Sequence, residues 1–171
     1  MLSQDKVIEV YTIGHSNRSL DEFLELLKKY RIEIVVDVRR FPSSKRYPHF
    51  KKEELERTLK ERNLKYIWLG DKLGGFRPGG YESYIKTEDF KEGLSSLLRI
   101  IEENKDKKTT IMCRERLWFK CHRRFISDIL VWLGYRVVHI IDKDKTYVHK
   151  RSREFKISTD ESNDDLIFSK F

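Results

Sequence analysis

The chain predicts an α/β fold: a three-layer sandwich with a mainly parallel sheet of about five strands and helices on both faces. Two observations carry this expectation. Short apolar runs alternate along the sequence with longer segments of helical periodicity, the order that right-handed βαβ crossovers generate. Ile34-Val35-Val36 is an uninterrupted β-branched run, the pattern of a strand covered on both faces of a parallel sheet.

Val7 to Ile13 reads as a buried strand that runs into the loop Gly14-His15-Ser16-Asn17-Arg18. Ser19 and Glu22 have the spacing of a capping box, and Phe23, Leu26, Leu27 and Tyr30 then recur as one helical face. Ile32 to Val38 is the second strand, bounded by Asp37 and a basic loop. A charged helix from about Lys52 to Arg62 leads to the strand Lys65 to Leu69, and Leu73 to Gly80 forms a glycine-rich connection expected to be mobile. A helix near Glu88 to Glu103 precedes the strand Thr109 to Met112, with Cys113 at its carboxyl end. Another helix, from about Lys120 to Leu133, is stopped by Gly134, and Arg136 to Ile141 is the last clear strand. Residues 1–150 are read as a single α/β domain. Residues 151–171 form an acidic, serine-containing tail, either docked through Leu166-Ile167-Phe168 or frayed.

The 171 residues suit one domain, and 39% hydrophobic with 12% aromatic residues argues against a disordered polymer. No apolar run approaches the ~18 to 20 residues needed to cross a bilayer, and MLSQDKVIEV lacks the pattern of an export signal, so a cytoplasmic, membrane-free protein is expected. Two cysteines exclude a disulfide-rich scaffold. The absence of alanine, a single glutamine and 37% charged residues resemble the composition of heat-adapted proteins.

With 36 basic and 28 acidic residues the chain carries +8. Six basic residues and no acidic one lie between Arg39 and Lys52. Five lie between Arg114 and Arg124 against Glu115 alone, and six between Lys143 and Lys156 against two acids. Each run alone is an ordinary solvated surface; if they converge, they make an anion-binding face.

In open α/β sheets ligands bind beyond the carboxyl ends of the strands. There the sequence places His15, Ser16 and Asn17 after the first strand, Asp37, Arg39 and Arg40 after the second, Gly74, Gly75 and Arg77 after the third, and Cys113 and Glu115 after the fourth. Cys121, His122 and Arg123 open the next helix. Five motifs in this order, Thr12-Ile13-Gly14-His15-Ser16, Asp37-Val38-Arg39-Arg40-Phe41-Pro42-Ser43, Leu73-Gly74-Gly75, Cys113-x-Glu115 and Cys121-His122-Arg123, resemble the DUF488 family of proteins of unknown function, over about Val7 to Ile141. The resemblance implies a compact α/β domain with these motifs close together and supplies no reaction. The bulky Arg114 between Cys113 and Glu115 departs from the commoner family form.

The residue types leave several chemistries open. Cys121, among Lys120, His122 and Arg123 at a helix start, has the surroundings of a reactive thiolate, whereas Cys113 in an apolar strand reads as core. The two cysteines with His15, His122 or His139 have zinc-ligand chemistry but not a familiar spacing, so no metal is assigned; a reversible Cys113–Cys121 disulfide is a third option. Cys-His-Arg also occurs in the active-site motif of O6-alkylguanine-DNA alkyltransferases, but the likeness ends at that tripeptide. Glu115 and Asp37 can act as acid and base or simply pair with arginines, and His15 can transfer a proton, bind an anion or cap its loop. Arg39, Arg77 and Arg123 have the guanidinium forks suited to phosphate or carboxylate. Trp118-Phe119 is the aromatic pair best placed to face a ligand.

These readings converge on an enzymatic pocket for a phosphate-bearing small molecule or nucleic-acid component. Catalytic roles fall to Cys121, Glu115, His15 and Asp37, and substrate contacts to Ser16, Asn17, Arg39, Arg40, Gly74, Gly75, Arg77, Trp118, His122 and Arg123. No cofactor or oligomeric state is specified. The alternatives are a non-catalytic nucleic-acid-binding module and a cysteine-based redox or regulatory protein.

Overall fold

The structure, a computed structural model, describes residues 6–151 in full and the backbone of 155–159 and 166–170. Six strands form one sheet: β1 (Glu9–Gly14), β2 (Ile34–Asp37), β3 (Lys65–Trp68), β4 (Thr109–Cys113), β5 (Arg136–Asp142) and β6 (Lys145–Val148), in the order β3-β2-β4-β1-β5-β6. The first five are parallel and β6 returns antiparallel to β5. The three-layer α/β expectation holds, with one strand more than the sequence pattern disclosed.

Helices α1 (Leu20–Lys29) and α2 (Lys52–Glu61) cover one face; α5 (Glu88–Glu103) and α6 (Arg123–Trp132) cover the other. The side chains of β1 alternate between the two layers: Val10 joins Leu97, Ile101 and Ile129, while Tyr11 and Ile13 join Phe23, Leu27 and Leu59. This period of two gives a doubly covered sheet its two cores. Each fully buried Leu or Phe contributes roughly 1.5–3 kcal/mol to holding a helix on the sheet.

Local chemistry sets the helix ends. The Ser19 hydroxyl accepts from the Glu22 amide at 3.1 Å and the Glu22 carboxylate accepts from the Ser19 amide at 3.4 Å, so the capping box that starts α1 is complete. Thr87 accepts from the Phe90 amide at 3.3 Å to start α5. Gly134 ends α6 with φ 99°, a left-handed conformation that glycine adopts without strain.

Three features depart from the sequence pattern. The connection after β3 contains two single-turn helices, α3 (Gly70–Leu73) and α4 (Tyr81–Tyr84), whose Leu73, Tyr81 and Tyr84 are buried in the core beside α5. α6 starts at Arg123, preceded by a short 3₁₀ turn over Trp118–Lys120. β6 is missed because it is exposed along its whole length and so lacks a buried face to pattern. In the tail the backbone forms an antiparallel pair, β7 (Phe155–Thr159) with β8 (Leu166–Lys170). Whether Leu166-Ile167-Phe168 docks concerns side chains outside the described residues. Among the described residues no helix is long and apolar enough to cross a membrane.

Candidate functional site

β1 and β4 are neighbours in the sheet, yet the helices that follow them, α1 and α6, leave to opposite faces. Such a switch opens a crevice at the strands' carboxyl ends. The two strand-end loops continue the ladder there, with the His15 amide donating to the Cys113 carbonyl at 2.9 Å and the Ser16 amide to the Arg114 carbonyl at 2.8 Å. A Cβ on Gly14 would stand 1.8 Å from the Glu115 carbonyl oxygen, so only glycine allows this approach.

A cavity of about 890 Å³ opens at this edge. Its walls are His15, the loop from Arg39 to Tyr47, Gly75, Phe76 and Tyr81, the end of β4 from Cys113 to Glu115, and residues of the segment from Phe119 to Phe125. Seven Lys and Arg side chains line it (Arg39, Arg40, Lys45, Arg46, Arg114, Lys120, Arg124) against one carboxylate, Glu115. Two of the three basic runs therefore converge here.

Both cysteines reach the cavity and are unbonded, with their sulfurs 3.0 Å apart. Cys121 Sγ accepts from Arg123 Nε at 3.2 Å and from the Arg123 amide at 3.4 Å. Burial alone would raise the Cys121 thiol, but the hydrogen bond from Cys113 and the Arg123 cation outweigh it and bring the thiol down to about 6. Burial and the hydrogen bond to Cys121 push the Cys113 thiol the other way, well above its ordinary value. The two thiols are thus shifted in opposite directions, Cys121 toward the thiolate and Cys113 toward the thiol.

Arg39 and Arg123, expected to grip an anion, have their forks occupied. Arg39 pairs bidentately with Asp37, Nε to Oδ1 at 2.9 Å and NH2 to Oδ2 at 2.7 Å, and donates through NH1 to the Phe50 carbonyl at 2.7 Å. Asp37 is fully buried, also accepts from Tyr66, and does not line the cavity. Arg123 lies beneath Cys121, its NH2 donating to the Glu115 carbonyl and its NH1 to the Thr12 hydroxyl. Arg77 holds its own loop through the Gly74 carbonyl at 2.9 Å and stacks over Tyr84.

His15 is similarly committed: Nδ1 donates to the Ser16 carbonyl at 2.9 Å, and Nε2 accepts from Arg39 at 3.3 Å. Burial, then the Arg39 charge, lower it to about 3, so it is neutral at physiological pH. His122 donates from Nε2 to the Val38 carbonyl at 3.0 Å, and burial lowers it to about 4. Its other nitrogen faces Gly75, where a Cβ would approach to 3.0 Å, leaving a protonless acceptor on the cavity wall.

Of the residues singled out from the sequence, the cavity gathers His15, Arg39, Arg40, Gly75, Glu115, Cys121 and His122. Ser16, Asn17, Asp37, Gly74, Arg77, Trp118 and Arg123 are not on its walls. Trp118 stacks instead on His139, 4.7 Å between centroids and 8° between planes, while Phe119 alone of that pair faces the cavity. Among the described residues no group of three or more His, Cys, Asp or Glu side chains is arranged so that it could hold a metal ion. Lys45 and Arg46 reach the cavity as part of the basic run after β2, whereas sequence reasoning missed Thr12, Asp128 and His149 behind Arg123. A signal existed for Thr12, which interrupts an otherwise apolar buried strand, since buried polar groups require partners.

Fold and site together define a doubly wound α/β domain with a cysteine–arginine pair at the switch between its central strands. The family model for "Domain of unknown function DUF488" matches residues 19–130, and the chain belongs to that family. Neither curated proteins nor solved structures yield a match.

Proposed function

We propose that this domain is an enzyme that uses Cys121 as a nucleophile on a phosphate-bearing small molecule or nucleic-acid component. The observation that carries the reading is a cysteine lowered to about 6 on the wall of a cavity lined by seven cations and one carboxylate. Thiolates are the nucleophilic form of cysteine, and a lowered pKa populates that form at neutral pH. With the forks of Arg39 and Arg123 engaged, anion binding falls to Arg40, Lys45, Arg46, Arg114, Lys120 and Arg124. Glu115 is the acid or base, and Phe119 and Tyr47 offer rings against which a base can stack. The test is turnover of a panel of phosphorylated metabolites and nucleotides by the wild type, Cys121→Ser and Glu115→Gln, with intact-mass detection of a Cys121 adduct. Loss of turnover in Cys121→Ser is expected; equal turnover in all three proteins removes these roles.

A second reading is favoured by the 3.0 Å approach of the two sulfurs. A hydroperoxide would oxidise the Cys121 thiolate to a sulfenic acid, releasing the alcohol after protonation. The Cys113 thiol would then attack that sulfur and expel water, leaving a disulfide. Mild peroxide should remove two hydrogens from the intact mass of the wild type and none from Cys113→Ala. Over-oxidation without a Cys113–Cys121 bond would exclude the reading.

A further inference from the structure

We infer that Thr12, His139, His149 and Asp128 form a buried positioning relay that fixes the Arg123 guanidinium against Cys121. The inference deepens the proposed function, because it assigns these four residues to the nucleophile's support. Arg123 NH1 donates to Thr12 Oγ1 at 3.1 Å, and Thr12 Oγ1 meets His139 Nδ1 at 2.6 Å. His139 Nε2 meets His149 Nδ1 at 2.9 Å, and His149 Nε2 meets Asp128 Oδ1 at 2.7 Å. All four residues are buried.

The direction of the chain is set from Asp128, because a carboxylate can only accept. With His149 Nε2–H donating to that carboxylate and His139 held neutral chiefly by burial, the relay runs from His139 Nε2–H to His149 Nδ1 and from the Thr12 hydroxyl to His139 Nδ1, each imidazole carrying its proton on Nε2.

Four elements build the relay. Thr12 lies in β1, Asp128 in α6 and His139 in β5, while His149 follows β6 and is pinned by its amide to the Val137 carbonyl at 2.8 Å. Trp118 lies flat on His139 and edge-on to His149 at 4.8 Å, so one indole packs against both rings, which stand 78° apart. The residue just after the return strand β6 is thereby the third member of the chain.

The physical need for the relay is the position of Arg123. This guanidinium is 1% exposed and, among the described residues, no carboxylate lies within ion-pair distance of it. Hydrogen-bond chains polarise along their length, so a carboxylate at the far end makes the Thr12 oxygen a stronger acceptor. With NH1 tethered to Thr12 and NH2 to the Glu115 carbonyl, Nε is left aimed at Cys121 Sγ. The charged and titratable groups facing Cys121 are Cys113 from β4, Tyr81 from α4, and Arg123 and His122 at the start of α6. Arg114, Glu115, Lys120 and Arg124 share its cavity.

The experiment reads the titration of Cys121, not turnover. The rate of alkylation by iodoacetamide is followed from pH 5 to 9 in the full chain, with the Cys121 peptide quantified by mass spectrometry and folding checked by circular dichroism. Thr12→Val should move the midpoint upward and lower the rate at pH 5 by about three- to tenfold, the equivalent of roughly half to one pKa unit. Thr12→Ser, which keeps the hydroxyl, should restore the wild-type profile, and Asp128→Asn should shift it in the same direction as Thr12→Val but less. In the wild type, nitrogen NMR should find His139 and His149 protonated on Nε2. A wild-type profile in folded Thr12→Val, equal impairment in Thr12→Ser, or a proton on His139 Nδ1 overturns the relay. If Thr12→Val does not fold, Asp128→Asn and the NMR tautomers decide. A confirmed relay in a protein whose Cys121→Ser variant retains full turnover would overturn the proposed function alone.

Discussion

Two arginines are buried beside the cavity, and they are neutralised by opposite means. Arg39 meets Asp37 in a bidentate contact, with a second hydrogen bond from its own amide to the same carboxylate. Arg123 touches sulfur, a hydroxyl and carbonyl oxygens, and reaches the carboxylate of Asp128 only through three intervening side chains. A contact ion pair spends the cation on the fold. A cation whose carboxylate is remote keeps its field for the nearest ionisable group, here Cys121. The Arg39 region is therefore architecture at the cavity wall, and the Arg123 region is where the proposed chemistry would be prepared.

Acid acts on both regions at once and should give the largest effect. His15 beside Arg39, His122 beside Arg123 and His139 in the relay are lowered to about 3, 4 and 2, chiefly by burial. The unfolded chain protonates its histidines near 6.5, so below that pH it binds more protons than the native state, and stability falls as pH drops toward 4. The loss is roughly 2 kcal/mol per histidine by pH 5. Urea unfolding at pH 7 and pH 5 checks this; equal midpoints would mean that these rings are not held neutral.

Arg39→Met is next. Removing one partner of a buried ion pair strands the Asp37 charge and should cost about 3–5 kcal/mol, read from denaturant unfolding, while the pH profile of Cys121 alkylation stays in place. A shifted profile would show that Arg39 also supports the thiolate, and the contrast between the two arginines would fail. Arg123→Gln is the reciprocal change and the smallest in free energy. It should raise the Cys121 midpoint from about 6 toward an ordinary thiol and slow alkylation at neutral pH by on the order of tenfold, about 1.4 kcal/mol. An unchanged rate would transfer the lowering of Cys121 to Cys113 alone.

Much of the fold was legible because its signals are local. The capping box at Ser19 and Glu22, the β-branched run of β2 and the α5 periodicity each lie within one short stretch of chain. β6 was not, since an exposed strand has no apolar face to display, and with it the partner of His139 was hidden. The site was half legible. Cys121, Glu115 and Arg40 fall at strand or loop ends where the α/β rule looks, and the cavity collects them. Arg39, Arg77 and Arg123 were read as ligand forks because residue type reveals what a guanidinium can bind, not what already occupies it. Trp118 was assigned to a ligand and packs on His139 for the same reason.

The sequence by itself determined the layers, the parallel sheet, the convergence of polar loops at its carboxyl edge and the cationic character of that edge, because periodicity, capping and charge are written along the chain. Only the tertiary structure decided which arginine is engaged by a carboxylate, that Cys113 stands against Cys121 and which polar residues lie behind Arg123. Those outcomes depend on contacts such as Thr12 with His139 and Arg123, more than 100 positions apart, and on burial, which sets the cost of every uncompensated charge.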